Sequence, residues 1–182
     1  GASWMAWLGR FGLGGCLADD MGLGKTVQWI AYLLHMQDAG EISPDAPALL
    51  ICPTSVLGNW QKELDKFAPD LTCYVHYGSR RAKGERFREA IRGADLVLTT
   101  YPLAHPDREE LQSVEWSSIC LDEAQHIKNA STKQSSAIRR LRGRQRFALT
   151  GTPVENRLAE LWAIFDFLNP GYLGGQTAFR KR

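Results

Sequence analysis

The chain has no close pair of cysteines. Cys16, Cys52, Cys73 and Cys120 stand far apart with no C-x-x-C among them, which leaves neither a redox motif nor the framework of a disulfide scaffold. His35, His76, His105 and His126 show no ligand spacing with them, which argues against a zinc ribbon or finger. Three of the cysteines fall in apolar, strand-like runs and read as small buried hydrophobes of a reducing compartment. No apolar run is long enough to span a bilayer and no leader pattern is present. The expected setting is therefore intracellular with no membrane partner: cytoplasm or nucleoid in a bacterium, nucleus in a eukaryote. Charge of one sign is missing too. Lys and Arg number 22 against 20 Asp and Glu, a formal net charge of +2, too small for bulk electrostatics to argue for nucleic acid. There is no internal repeat and no low-complexity tract.

What is present suffices for one core. In 182 residues, 44% are apolar and 10% aromatic, enough for a single substantial domain over 1–182 and no more. Strand patterns over 15–18, 48–52, 72–77, 95–100, 118–121 and 146–149 alternate with helical ones over 25–37, 55–67, 81–92, 131–141 and 154–168. This alternation predicts an α/β fold with a mainly parallel sheet covered on both faces. The stretch 38–47, with two prolines, reads as a surface loop.

The most informative stretch is Asp19-Asp20-Met21-Gly22-Leu23-Gly24-Lys25-Thr26. It joins the strand 15–18 to a helix whose apolar stripe is Val27, Ile30, Ala31 and Leu34. Gly22 and Gly24 would let backbone N–H groups close around phosphate oxygens, and the helix N-terminus adds its partial positive charge there. Lys25 would reach the β- and γ-phosphates of ATP, and the Thr26 hydroxyl would ligate Mg²⁺. The ATP-binding loop is thus Asp20, Met21, Gly22, Leu23, Gly24, Lys25 and Thr26. Asp19 stands where the common phosphate-loop pattern has glycine, so a glycine-rich turn capping an ordinary helix stays open on this stretch alone.

A second site fits the first. Ile119-Cys120-Leu121 leads into Asp122-Glu123-Ala124-Gln125, a buried strand ending in two carboxylates. Phosphoryl transfer beside a phosphate loop needs such a pair: Asp122 to hold the Mg²⁺, and Glu123 to orient and deprotonate the attacking water. Lys25, Asp122 and Glu123 are accordingly the candidate catalytic residues. A third segment, Leu149-Thr150-Gly151-Thr152-Pro153-Val154-Glu155-Asn156, carries a Thr-x-x-Glu capping box and opens a helix expected to bury Leu158, Leu161, Trp162, Phe165 and Leu168. Thr150 would lie on the sheet edge where open α/β sheets place ligands, its hydroxyl able to sense the γ-phosphate.

Together these three segments, each in its full form from Leu17 to Thr26, Asp122 to Asn129 and Leu149 to Asn156, resemble motifs I, II and III of the Swi/Snf-type ATPases of helicase superfamily two. In that family Asp in place of the first loop glycine is habitual. Cys52-Pro53-Thr54-Ser55 with Asn59-Trp60 is similar to the family's motif Ia, Leu98-Thr99-Thr100-Tyr101 to its next DNA-facing segment, and Asp166-Phe167-Leu168-Asn169-Pro170 to the sequence after motif III. The resemblance implies a RecA-like first lobe of a double-stranded-DNA translocase using ATP and Mg²⁺. It implies coupling roles for Gln125, Thr150, Gly151 and Thr152, and sequence-nonspecific duplex contacts by Thr54, Ser55, Thr99 and Thr100. It also implies a second RecA-like lobe supplying arginines to the ATP site, an adenine-reading segment upstream of Trp4-Met5-Ala6-Trp7-Leu8, and a protein or nucleoprotein target. Neither second lobe nor adenine-reading segment is found here, so a piece of a longer protein with little turnover of its own is expected.

Some residues keep bland readings. Trp60, spaced with Leu57, Leu64 and Phe67, reads as core, and His126 as either a γ-phosphate neighbour or a helix-start residue. The basic group Arg80, Arg81, Lys83, Arg86 and Arg88 reads as the wet face of a helix. Arg139, Arg140, Arg142, Arg144 and Arg146 read as a solvated helix end, or else as neighbours of a phosphate backbone; Arg180-Lys181-Arg182 reads as a solvated tail. Two other functions stay open: an RNA helicase of the same superfamily, which would typically show Ser-Ala-Thr at 150–152, and a non-hydrolysing nucleotide-gated binding module.

Overall fold

The computed structural model describes residues 2–18, 24–151 and 158–179. Their centre is a sheet of β1 (Gly15–Ala18), β2 (Ala48–Cys52), β3 (Cys73–Val75), β4 (Leu96–Thr100), β5 (Glu115–Asp122) and β6 (Arg142–Thr150). The strand order is β1-β6-β5-β2-β4-β3, and every neighbouring pair is parallel. β2 and β4 are buried at every position, whereas the edge strands β1 and β3 are mostly half-buried. Central strands covered on both faces read as continuous apolar runs, which is why Ala48-Leu49-Leu50-Ile51-Cys52 was the plainest strand in the sequence.

Alternation along each strand divides the core in two. Leu50, Cys52, Leu98 and Cys120 point to the face covered by α1 (Ala2–Arg10), α2 (Lys25–Asp38) and α3 (Leu57–Phe67), where they meet Met5, Trp29, Leu33 and Trp60. Leu49, Ile51, Val97 and Ile119 point to the other face. There α4 (Glu85–Ile91), α5 (Arg108–Gln112), α6 (Lys133–Arg139) and α7 (Leu158–Leu168) bring Phe87, Leu111, Ile138 and Phe167. A short α8 (Gln176–Phe179) follows. No helix among the described residues is long and apolar enough to cross a membrane.

Several expectations are corrected. α1 and α5 had no counterpart in the sequence pattern, being short and set by packing. The buried side of α2 is Trp29, Ile30, Tyr32 and Leu33; Val27 and Ala31 are exposed, because two aromatics reach the sheet better than the small residues do. In α7 the buried side is Trp162, Ala163, Ile164, Phe167 and Leu168, with Leu158 and Phe165 exposed. Phe67 is exposed at the end of α3.

The basic clusters also differ from their reading. Arg81 and Lys83 precede α4 and close, with His76, on the wholly buried carboxylate of Asp107. Arg142, Arg144 and Arg146 belong to β6, not to a helix end. Arg139 pairs with Asp166 at 2.9 Å. Arg146 donates to the carbonyls of Leu141 and Phe167, and burial pulls its pKa down. Arg180, Lys181 and Arg182 lie outside the described residues.

Candidate functional site

The strand register brings the three motif ends to one edge. Ala18 pairs with Thr150, Asp122 with Leu149, and Cys52 with Thr100, so the carboxyl ends of β1, β6, β5, β2 and β4 form one line. In open α/β sheets that line is where ligands bind. α2 opens onto it at Lys25, directly after Gly24, whose φ of 75° is a left-handed conformation that favours glycine. Lys25 and Thr26 are half-buried there. Asp19, Asp20, Met21, Gly22 and Leu23 lie outside the described residues, as do Thr152 and 153–157.

The acidic pair is held by several bonds. Asp122 Oδ2 accepts the indole N–H of Trp60 at 2.8 Å, and Oδ1 accepts the backbone N–H of Glu123 at 3.0 Å. The Tyr101 hydroxyl donates to the Asp122 carbonyl at 2.6 Å, and its ring stacks on His126 with centroids 4.6 Å apart and planes 13° from parallel. Glu123 itself has φ 51° and ψ 57°, the one positive φ outside glycine among the described residues. A left-handed residue with a Cβ costs about 1–2 kcal/mol, and such strain persists only where surrounding bonds over-determine it. The turn at Ala124–Ile127 and the Tyr101 bond supply that constraint.

A polar relay then runs from the second motif to the third. Gln125 Nε2 donates to Glu123 Oε2 at 2.6 Å, and the Thr150 hydroxyl donates to Gln125 Oε1 at 3.0 Å. One amide thus uses both its ends, joining the Thr150 hydroxyl to the Glu123 carboxylate. Gly151 follows at the edge, half-buried. Burial pushes the Asp122 carboxyl above its ordinary range; the Trp60 N–H opposes this, the Glu123 charge adds to it and the Lys25 charge pulls it back. The neighbouring Cys52 thiol is pushed up to about 12, chiefly by burial, and stays protonated and unreactive at neutral pH.

These groups fit a nucleotide-bound Mg²⁺. Asp122 and Thr26 offer hard oxygen donors, and each Asp122 oxygen accepts one hydrogen bond while keeping a second lone pair. No cluster of three or more His, Cys, Asp or Glu among the described residues could cage a metal. Mg²⁺ in phosphoryl-transfer sites is held in that sparse way, by one or two side chains and the phosphates.

The expected DNA-contact residues divide. Thr54 and Ser55 are exposed in the turn before α3. Thr99 and Thr100 are fully buried, the former donating to the His76 carbonyl at 2.9 Å. Both hydroxyls are covered in this conformation, because β4 is a central strand covered on both faces. Two residues escaped notice as part of the site. The spacing of Trp60 reads as core within the segment resembling motif Ia, and Tyr101 reads as the end of a DNA-facing segment; their partners lie 62 and 21 residues away, which no local spacing reveals.

The SNF2-related domain profile matches residues 1–182. The chain belongs to the SNF2-related family. It is 60% identical over all of its 182 residues to YwqA of Bacillus subtilis (strain 168), whose name carries the words ATP-dependent helicase/translocase, and spans 20% of that protein. It is 38% identical over 191 aligned positions to the TATA-binding protein-associated factor MOT1 of Saccharomyces cerevisiae, covering 100% of this chain and 10% of MOT1. Among solved structures it resembles the Sulfolobus solfataricus SWI2/SNF2 ATPase core in complex with dsDNA, with a TM-score of 0.88 and 45% identity over 99% of this chain and 36% of that one. This SNF2-related chain therefore spans a fifth or less of those curated relatives and about a third of that core. The RecA-like fold expected from the motifs stands.

Proposed function

We propose that the chain is the first, ATP-binding lobe of a DNA-dependent ATPase that moves along duplex DNA or remodels nucleoprotein. The observation that carries this reading is the bonded run Thr150–Gln125–Glu123 beside Asp122, on the sheet edge where α2 presents Lys25. In this reading Asp20 to Thr26 cradle the phosphates, Lys25 pairs with the β- and γ-phosphates, and Thr26 and Asp122 hold Mg²⁺. When bound, Mg²⁺ neutralises phosphate charge as it develops. Glu123 orients the attacking water and takes its proton as the oxygen bonds to the γ-phosphorus and the bond to the β-phosphate oxygen breaks, releasing ADP. Gln125 and Thr150, with Gly151 and Thr152, tie that carboxylate to the state of the γ-phosphate.

Duplex DNA as partner is supported by the dsDNA complex of the Sulfolobus core and by the words helicase/translocase in the name of YwqA. A protein target is supported by the name of MOT1, a TATA-binding protein-associated factor. A second RecA-like lobe is supported by the 36% share of the solved core that this chain spans. Such a lobe would contribute an arginine worth about 10³ to 10⁵ in rate in related phosphoryl transfer, so residues 1–182 alone are expected to turn over ATP near background. Thr54 and Ser55 are the phosphate contacts that remain available.

ATP turnover by the full-length protein, measured alone, with duplex DNA and with structured RNA, tests the reading. Stimulation by duplex DNA that Glu123→Gln abolishes is expected. Stimulation by RNA alone would make the protein an RNA helicase, and no turnover under any condition would make it a binding module.

A further inference from the structure

Of the four buried tryptophans, two spend their single donor on main-chain carbonyls: Trp116 on Leu111 at 2.9 Å and Trp162 on Gly174 at 3.1 Å. The Trp29 indole N–H finds no partner among the described residues. Trp60 differs, giving its N–H to the Asp122 carboxylate across 62 residues of chain. A hydrogen bond to a carboxylate is shorter and stronger than one between neutral groups, and the buried space alone would be filled as well by an indole with no donor.

We propose that Trp60 is a positioning residue for Asp122, fixing the rotamer in which its carboxylate meets the nucleotide edge. This rests on the reading above in which Asp122 holds Mg²⁺. Packing locks the donor. Trp60 is 1% exposed and meets the wholly buried Trp29 edge-on, with centroids 6.0 Å apart and planes at 86°. Trp29 lies on α2 one turn beyond Lys25 and Thr26, so one rigid aromatic pair connects the helix carrying those residues to the carboxylate on β5. The two groups that would share the metal are thereby held in register through side chains, although β6 separates β1, which leads into α2, from β5 in the sheet. With Oδ1 on the Glu123 N–H and Oδ2 on the indole, the carboxylate cannot rotate without breaking a bond. Loss of an outer partner of this kind typically costs about 10- to 100-fold in metal affinity.

The test is Mn²⁺ binding to the full-length protein by electron paramagnetic resonance, with a non-hydrolysable ATP analogue present. Trp60→Phe removes the donor and keeps an aromatic ring. Replacement of Trp60 by 3-benzothienylalanine keeps the bicyclic shape with sulfur in place of N–H, and decides the matter should the phenylalanine variant fail to fold. Loss of the donor is expected to weaken Mn²⁺ binding about 10- to 100-fold, with metal-free nucleotide binding unchanged. Unaltered Mn²⁺ affinity in the benzothienyl protein would overturn the proposal. Asp122→Asn separates the two claims: if it abolishes metal binding while the benzothienyl protein retains it, only the Trp60 inference fails, and if it too leaves binding intact, the metal role of Asp122 fails with it.

Discussion

At the residue scale the site turns on Glu123 and on what holds it. Its left-handed backbone is held by the turn at Ala124–Ile127 and the Tyr101 bond, and its carboxylate is bonded through Gln125 to Thr150. Thr150→Val keeps the shape of the side chain and removes the hydroxyl that begins the relay. Its kcat for ATP should fall about fivefold, the equivalent of one lost hydrogen bond of about 1 kcal/mol, with KM for ATP little changed. Steady-state kinetics of the full-length protein would check this, and an unaltered kcat would remove the coupling role. At this scale the sequence was uneven. Lys25, Thr26, Asp122 and Glu123 announce themselves because each needs a particular chemistry beside a particular neighbour. Trp60 and Tyr101 do not, since their donors act across the fold and nothing in their own surroundings in the chain differs from a core tryptophan or a strand-end tyrosine.

At the scale of elements, the buried carboxylate of Asp107 joins the segment between β3 and α4 to the one before α5. His76, Arg81 and Lys83 all close on it. Their hydrogen bonds hold its pKa well below the usual carboxylate range despite burial, while burial holds His76 below its ordinary value. Both shifts have the same sign for stability. A group whose pKa is lowered in the folded state binds fewer protons there than in the unfolded chain, so acidification favours unfolding. The His76 contribution fades as pH falls below about 6.5 and the Asp107 contribution as it falls below about 4. Asp107→Asn should therefore lower stability by about 2 kcal/mol at pH 7, with Arg81 and Lys83 left near solvent, and the gap to wild type should narrow under acid. Urea unfolding at pH 7 and pH 3 measures it; a gap independent of pH would contradict the assignment. None of this was legible in Arg80 to Arg88, whose spacing with Phe87 matched an amphipathic helix. The first half of β6 was hidden likewise, because arginines at alternate positions of Arg142-Gly143-Arg144-Gln145-Arg146 resemble a polar helix end until β5 is placed beside them. β2 and β4 were plain, because a strand covered on both faces must be apolar throughout.

At the scale of the whole molecule, one parallel sheet gathers residues from both ends of the chain at a single edge, and helices on each face hold the strands in register. The fold could be read from βα alternation and the order of the motifs, since the connections between parallel strands leave few other arrangements. Which face each helix covers could not, as this depends on the strand order. A motor built on such a lobe must convert the state of the γ-phosphate into movement along a duplex, and the relay from Thr150 to Glu123 lies where that conversion would begin. The most direct measurement is displacement of the third strand from a DNA triplex by the full-length protein. Displacement that requires ATP and an unbroken duplex track, and that Glu123→Gln abolishes while ATP binding persists, is the predicted result. Displacement that proceeds without ATP or survives Glu123→Gln, or no displacement alongside brisk duplex-stimulated ATP turnover, would contradict it.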